Sequence, residues 1–175
     1  LFESVIEDFR YELRKRKLEV KPTLDFSGFT PDAEGNPSFK TDPGYVRLVL
    51  ANLLSNAINF TTDSTSIDVS VRRTAEGHLC LSVKDRGIGI APEYQREIFD
   101  RFTRASTNIN SLSRGHGLGL SVCKAITDML NGKLEVQSEL GHGSTFTFTI
   151  PEAENLSEVY AEAGGDIFFE SEETF

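Results

Sequence analysis

The sequence predicts an α+β fold: a two-layer α/β sandwich in which a mixed, mostly antiparallel sheet is covered on one face by three helices. Three observations carry this. Several short runs alternate apolar and polar residues, the period of a half-buried strand. Three longer runs place apolar residues at helical spacing. The tally, four or five strands and three helices in 175 residues, is that of about one domain with a single core.

Taken in order, Phe2, Val5, Ile6, Phe9 and Leu13 predict an amphipathic helix over residues 2–16. Its other face carries Arg10, Arg14, Lys15, Arg16 and Lys17, read as a solvated surface. A short strand over 18–24 follows, then a turn-rich loop with Gly28, Pro31, Gly35 and Pro37. Asp42 and Pro43 open the second helix, as N-cap and first helical residue. Val46, Val49, Leu50, Leu53, Ala57 and Ile58 give it an apolar face. Asn52, Asn56 and Asn59 recur at i, i+4, i+7 and share a neighbouring stripe. Asparagine is a mediocre helix former, so three in one stripe ask for a polar partner.

Ile67, Val69 and Val71 alternate, and predict a hairpin with residues 79–85 across Glu76-Gly77. Asp85 stands where the second strand ends, and Gly87 and Gly89 follow at alternate positions. Glycines there let the backbone pass close to something flat or anionic. A carboxylate at such a turn suits an acceptor for an amino group on a bound ring. The plain alternative is an ordinary tight turn. Residues 92–102 read as a short helix carrying Ile98, Phe99 and Phe102, and 103–114 have loop composition. That loop could close over a ligand or serve as a simple connector.

Gly115-His-Gly-Leu-Gly119 leads into a helix over 120–130 that Asn131-Gly132 ends. Free N–H groups and the helix dipole there suit an anion. No strand precedes the glycines, as a dinucleotide fingerprint needs, and no Gly-Lys-Ser/Thr of a P-loop occurs. Residues 133–139 and 144–150 form two strands around Gly141-His-Gly143. Together the two glycine clusters and the asparagine helix predict a nucleotide held at its two ends.

Bulk properties narrow the class. No apolar run approaches the roughly 18 residues of a membrane span. The net charge is −9, but residues 151–175 hold eight acidic residues and no Lys or Arg, which leaves −1 for the rest. No basic stripe outside residues 10–17 marks a nucleic-acid footprint. Cys80 and Cys123 sit on no metal or redox spacing and read as buried thiols in a reducing compartment. His78, His116 and His142 are scattered. The expectation is a cytoplasmic module without nucleic-acid or membrane contact, excised from a longer protein that is either soluble or membrane-anchored.

These segments resemble the ATP-binding catalytic domain of sensor histidine kinases, in the superfamily shared with gyrase, the Hsp90 chaperones and the MutL repair proteins. Asn52-Leu-Leu-Ser-Asn-Ala-Ile-Asn-Phe-Thr61, Asp85-Arg-Gly-Ile-Gly-Ile90, Ile98-Phe-Asp-Arg-Phe102, Gly115-His-Gly-Leu-Gly-Leu120 and Gly141-His-Gly-Ser-Thr-Phe-Thr-Phe148 match in order. The resemblance implies a Bergerat-type fold binding Mg·ATP. Asn56 would ligate Mg²⁺ and Asp85 would accept from the adenine amino group, with Thr145 supporting it through water. Phe60 would lie against the base, beside the turn of Gly87, Gly89 and Ile90. Gly115, His116, Gly117, Leu118 and Gly119 would wrap the phosphates, and Arg104 would reach the γ-phosphate. Asn52 stands where the hydrolysing relatives carry a Glu that activates water. An amide is no general base, which suits a kinase that keeps its phosphoryl group for transfer.

Two departures stand out. Asn59 occupies a position that is usually Lys, and no histidine has the phosphoacceptor's setting. The resemblance therefore implies residues 1–17 leading from a dimerisation hairpin that lies elsewhere, a catalytic domain over 18–151, and an acidic tail or linker over 152–175. Its partners would be that hairpin, which bears the acceptor histidine, and a response-regulator receiver domain. A homodimer would form only in the full-length kinase. A degenerate, purely regulatory nucleotide module and an anti-sigma-type serine kinase are the alternatives.

Overall fold

The computed structural model describes residues 1–100 and 119–154. Five strands form one sheet in the order β1-β4-β5-β7-β6. They are β1 (Glu19–Leu24), β4 (Ser66–Arg73), β5 (Leu79–Lys84), β6 (Lys133–Glu139) and β7 (Gly143–Ile150). β1 runs parallel to β4, and all other pairs are antiparallel. The predicted hairpin forms with Val69 opposite Val83. Between β1 and β4, two short strands, β2 (Thr30–Pro31) and β3 (Pro37–Ser38), pair with each other where the sequence predicts only loop.

One face of the sheet carries the core. Val69 and Val71 on β4, Leu81 and Val83 on β5, and Phe146 and Phe148 on β7 are buried beneath the helices. Helix α3 (Pro43–Phe60) seats Val46, Val49, Leu50, Leu53, Leu54, Ala57 and Ile58 on that face. Asp42 caps it as expected, its Oδ1 accepting from Gly44 N–H at 2.7 Å. Helix α4 (Gly119–Met129) packs beside α3 and buries Cys123, Ile126 and Thr127. It ends at Asn131, whose φ of 53° lets Gly132 N–H reach Thr127 O at 2.8 Å.

Two predicted helices differ. The run over 2–16 is broken at Phe9 into α1 (Phe2–Asp8) and α2 (Arg10–Lys15). Phe9 lies at φ −97°, ψ 9°, and its N–H takes the Ile6 carbonyl only three residues back. The bend lets Val5 and Leu13 both be buried, while Arg47 on α3 holds α1 through Ser4 and Asp8. Residues 92–99 form two single 3₁₀ turns, Pro92–Tyr94 and Glu97–Phe99, rather than one α-helix. Gln95 between them donates to the carbonyls of Ile90 and Ser138, so tertiary bonds set the path of a segment too short to nucleate a helix. Arg101 and Phe102, the last residues of that predicted helix, lie outside the described residues.

Candidate functional site

Asp85 follows the last residue of β5 and is 2% exposed. Its backbone N–H continues the ladder to Ser144 O at 2.9 Å, which places its side chain on the helix-covered face. Gly87 N–H donates to Oδ1 at 2.8 Å. A carboxylate has room for further donors. Burial pushes the Asp85 carboxyl above its ordinary range, and backbone hydrogen bonding from Gly87 and Ser144 pulls it partly back.

The turn after Asp85 is fastened to the end of α3. Thr61, 3% exposed, forms a bridge with Gly87, and its Oγ1 accepts from Arg86 N–H at 3.1 Å. Thr62 Oγ1 donates to Arg86 O at 3.0 Å, and Ile88 N–H reaches Phe60 O at 3.4 Å. A Cβ on Gly87 would lie 2.0 Å from the Phe60 carbonyl oxygen, and one on Gly89 equally close to that of Glu139. Both glycines are thus demanded by the protein's own backbone, a reason the sequence reading assigned to a ligand. Gly89 also holds φ +68°. Ile90 N–H donates to Ser138 Oγ at 2.7 Å and ties the turn to β6.

Along α3, the asparagine stripe divides. Asn52 Nδ2 is bonded back to Leu48 O at 2.8 Å, and its Oδ1 faces Gly119, where a Cβ would lie 2.9 Å away. Asn56 is half-buried one turn before the exposed Phe60 ring. Among the described residues the Asn56 amide has no hydrogen-bonding partner. Asn59 is exposed, and the last turn of α3 has no basic residue. Gly119, the first residue of α4, brings that helix start against α3. Asn52, Asn56, Phe60, Asp85, Gly87, Gly89, Ile90 and Gly119 therefore belong to one neighbourhood. Arg104, Gly115, His116, Gly117 and Leu118 lie outside the described residues.

Thr145 does not join them. It pairs with Lys84, one residue before Asp85, and so points to the face of the sheet opposite the described helices. The hydroxyl on the side of Asp85 is that of Ser144, 6% exposed and 2.8 Å from Ser138 Oγ. The signal was present: Phe146, Phe148 and Ile150 mark even positions of β7 as core-facing. Thr61, the strap between α3 and the turn, was also missed.

An open cleft of about 590 Å³ lies elsewhere, between the β2–β3 turn and residues 152–154, and contains none of the predicted site residues. Among the described residues no group of histidine, cysteine and carboxylate side chains could hold a metal, and no helix is long and apolar enough to cross a membrane.

Comparison with known proteins bears on the family and the fold. Residues 41–154 match the family described as histidine kinase-, DNA gyrase B- and HSP90-like ATPase. The sensor-like histidine kinase SenX3 of Mycolicibacterium smegmatis is 39% identical over 123 residues, 70% of this chain and 32% of that protein. The adaptive-response sensory kinase SasA of Synechococcus elongatus is 34% identical over 86% of this chain and 38% of that protein. The chain thus spans about a third of the length of these relatives. Among solved structures, full-length ShkA in complex with AMPPNP superposes with a TM-score of 0.71 at 25% identity, over 89% of this chain and 30% of that one. The nucleotide-free catalytic domain of histidine kinase ThkA gives 0.69 at 27% identity, over 86% and 90%.

Proposed function

This chain belongs to the histidine kinase-, DNA gyrase B- and HSP90-like ATPase family, and we propose that it is the ATP-binding catalytic domain of a sensor histidine kinase. The observation that carries this is the buried Asp85 carboxylate, held at a strand end and backed by Thr61 and Gly87 at the C-terminus of α3. A buried carboxylate with spare acceptor capacity is costly unless a donor arrives, and the adenine amino group supplies one. Ser144 stands on the same side to contribute a second polar contact, in the role first given to Thr145. Phe60, whose ring is exposed at the end of α3, would lie against the base.

The Asn56 amide fits Mg²⁺, since a half-buried hard oxygen without a protein partner among the described residues suits an ion that takes few protein ligands and keeps waters. When bound, the ion would neutralise charge on the phosphate oxygens. The chain's own residues then bind and orient. Asp85 and Phe60 fix the base, and the α4 N-terminus at Gly119 offers N–H groups to the phosphates. By the resemblance, residues 115–118 and Arg104, which lie outside the described residues, would add contacts to the phosphates. Asn52 supplies no general base, so water is not activated and the phosphoryl group is kept for in-line transfer.

The acceptor would be a histidine on a dimerisation hairpin that precedes residues 1–17, and a response-regulator aspartate would receive the group next. Residues 18–151 form the catalytic domain in this scheme, with 152–175 as its acidic tail. The test is ATP titration by calorimetry, with and without Mg²⁺, followed by phosphotransfer in trans to the separately prepared hairpin. Asp85→Ala should abolish binding, Asn56→Ala should remove its Mg²⁺ dependence, and the label should be acid-labile and absent in both variants. No binding by the unaltered chain would sink the proposal. Binding without transfer would favour the regulatory module, a reading supported by the uncharged Asn59 and the absence of any basic residue in the last turn of α3.

A further inference from the structure

The loop that leaves α3 is held from outside the site by one side chain. Arg16, at the end of α2, donates through Nη2 to Thr61 O at 2.6 Å and through Nε to Asp63 Oδ1 at 2.6 Å. The two backbones are joined as well, Ser64 N–H to Arg16 O at 3.1 Å and Glu19 N–H to Thr65 O at 3.1 Å. Thr61 is the C-cap of α3, and its other groups hold the Asp85–Ile88 turn through Arg86 and Gly87. A cation beside a helix C-terminus is favourable, and α3 has none in its own last turn. Arg16 supplies it from another element. Its guanidinium is only partly exposed, and its forked donors match the two acceptors.

We infer that Arg16 is a positioning residue that couples the N-terminal helix pair to the nucleotide site through Thr61. Movement of α2 relative to the sheet shifts or releases the Thr61 carbonyl. Thr61 in turn carries the peptide of Phe60 and the Arg86 and Gly87 contacts that aim Asp85. The N-terminal helices are therefore a lever on base binding. This rests on the nucleotide reading above. It gives the basic face of residues 10–17, read from sequence as solvated surface, one member with a defined task.

The test uses the whole 175-residue chain with Arg16→Ala, Arg16→Lys and Asp63→Asn. Hydrogen–deuterium exchange is followed at the amides of Thr62, Arg86 and Ile88, beside ATP titration and denaturant unfolding. In Arg16→Ala those three amides should exchange about tenfold faster while the β4–β5 amides keep their protection. ATP affinity should fall roughly fivefold or more. Arg16→Lys, which keeps the charge but can reach only one acceptor, should recover part of both. Asp63→Asn, altering an exposed partner, should move both slightly in the same direction. Unchanged exchange at the three amides would overturn the inference. So would a uniform loss of protection across sheet and loop, which is what a merely structural residue produces. If the unaltered chain binds no ATP, the functional proposal fails and the exchange result alone decides the role of Arg16.

Discussion

Asp85 carries the conflict between folding and binding. Its carboxyl is pushed above the ordinary value of 3.8 because burial disfavours the charged form more than the Gly87 and Ser144 hydrogen bonding restores it. A raised pKa in the folded state means that the native protein binds this proton more tightly than the unfolded chain. The group's contribution to stability is complete below the ordinary carboxylate range and is lost as pH rises through the raised value. At neutral pH the ionised Asp85 is therefore a cost. Asp85→Asn should raise the stability of the nucleotide-free protein, by roughly 0.5–2 kcal/mol in urea unfolding at pH 7, and lose ATP binding. The gain should shrink as pH is lowered towards the carboxylate range. A variant destabilised at pH 7 would show that the charge is instead stabilised by the fold. The identity of Asp85 as the key acceptor was legible from its place after Leu79-Cys-Leu-Ser-Val-Lys84 and before two glycines. Its hydroxyl neighbour was not, because which β7 residue shares its face depends on a pairing between strands some 60 residues apart in the chain.

At the level of elements, the site is a junction between the end of α3 and the turn after β5. Sequence periodicity located both elements, since each is long and regular. It could not show that they touch. Gly87 records the contact: the Phe60 carbonyl occupies the space a side chain would need. Gly87→Ala should thus force the two backbones apart and cost about 3 kcal/mol in denaturant unfolding, with ATP binding lost alongside. A cost below about 0.5 kcal/mol would mean that the turn is not seated on α3. Elements whose geometry comes from tertiary bonds were the least legible. The 3₁₀ turns around Gln95 and the bend at Phe9 both follow from partners outside the segment.

At the scale of the molecule, the described helices pack on one face of the sheet, and β7 leads into an anchored segment. Past the proposed boundary at residue 151, Glu152 pairs with the largely buried Arg73 at 2.5 Å and accepts from Lys40 N–H at 3.1 Å. Ala153 N–H reaches Lys40 O at 2.9 Å. Arg73 also lies over the Phe39 ring and bonds Thr30, so one arginine closes the corner between β4, the β2–β3 turn and the chain's exit. A chain ending at Pro151 should melt about 3–8 °C below one ending at Glu154. Equal melting of the two would show that the corner contributes nothing.

The sequence by itself determined the α+β class, the positions of α3 and α4, the β4–β5 hairpin, the Asp42 cap and the family motifs, because each rests on local periodicity, capping or short-range spacing. Tertiary structure alone decided that Ser144 rather than Thr145 faces Asp85, that Gly87 and Gly89 are required by neighbouring carbonyls, and that Arg16 braces Thr61. Those facts depend on register between distant strands and on side chains meeting across 45 or more residues, distances over which sequence spacing carries no geometric information.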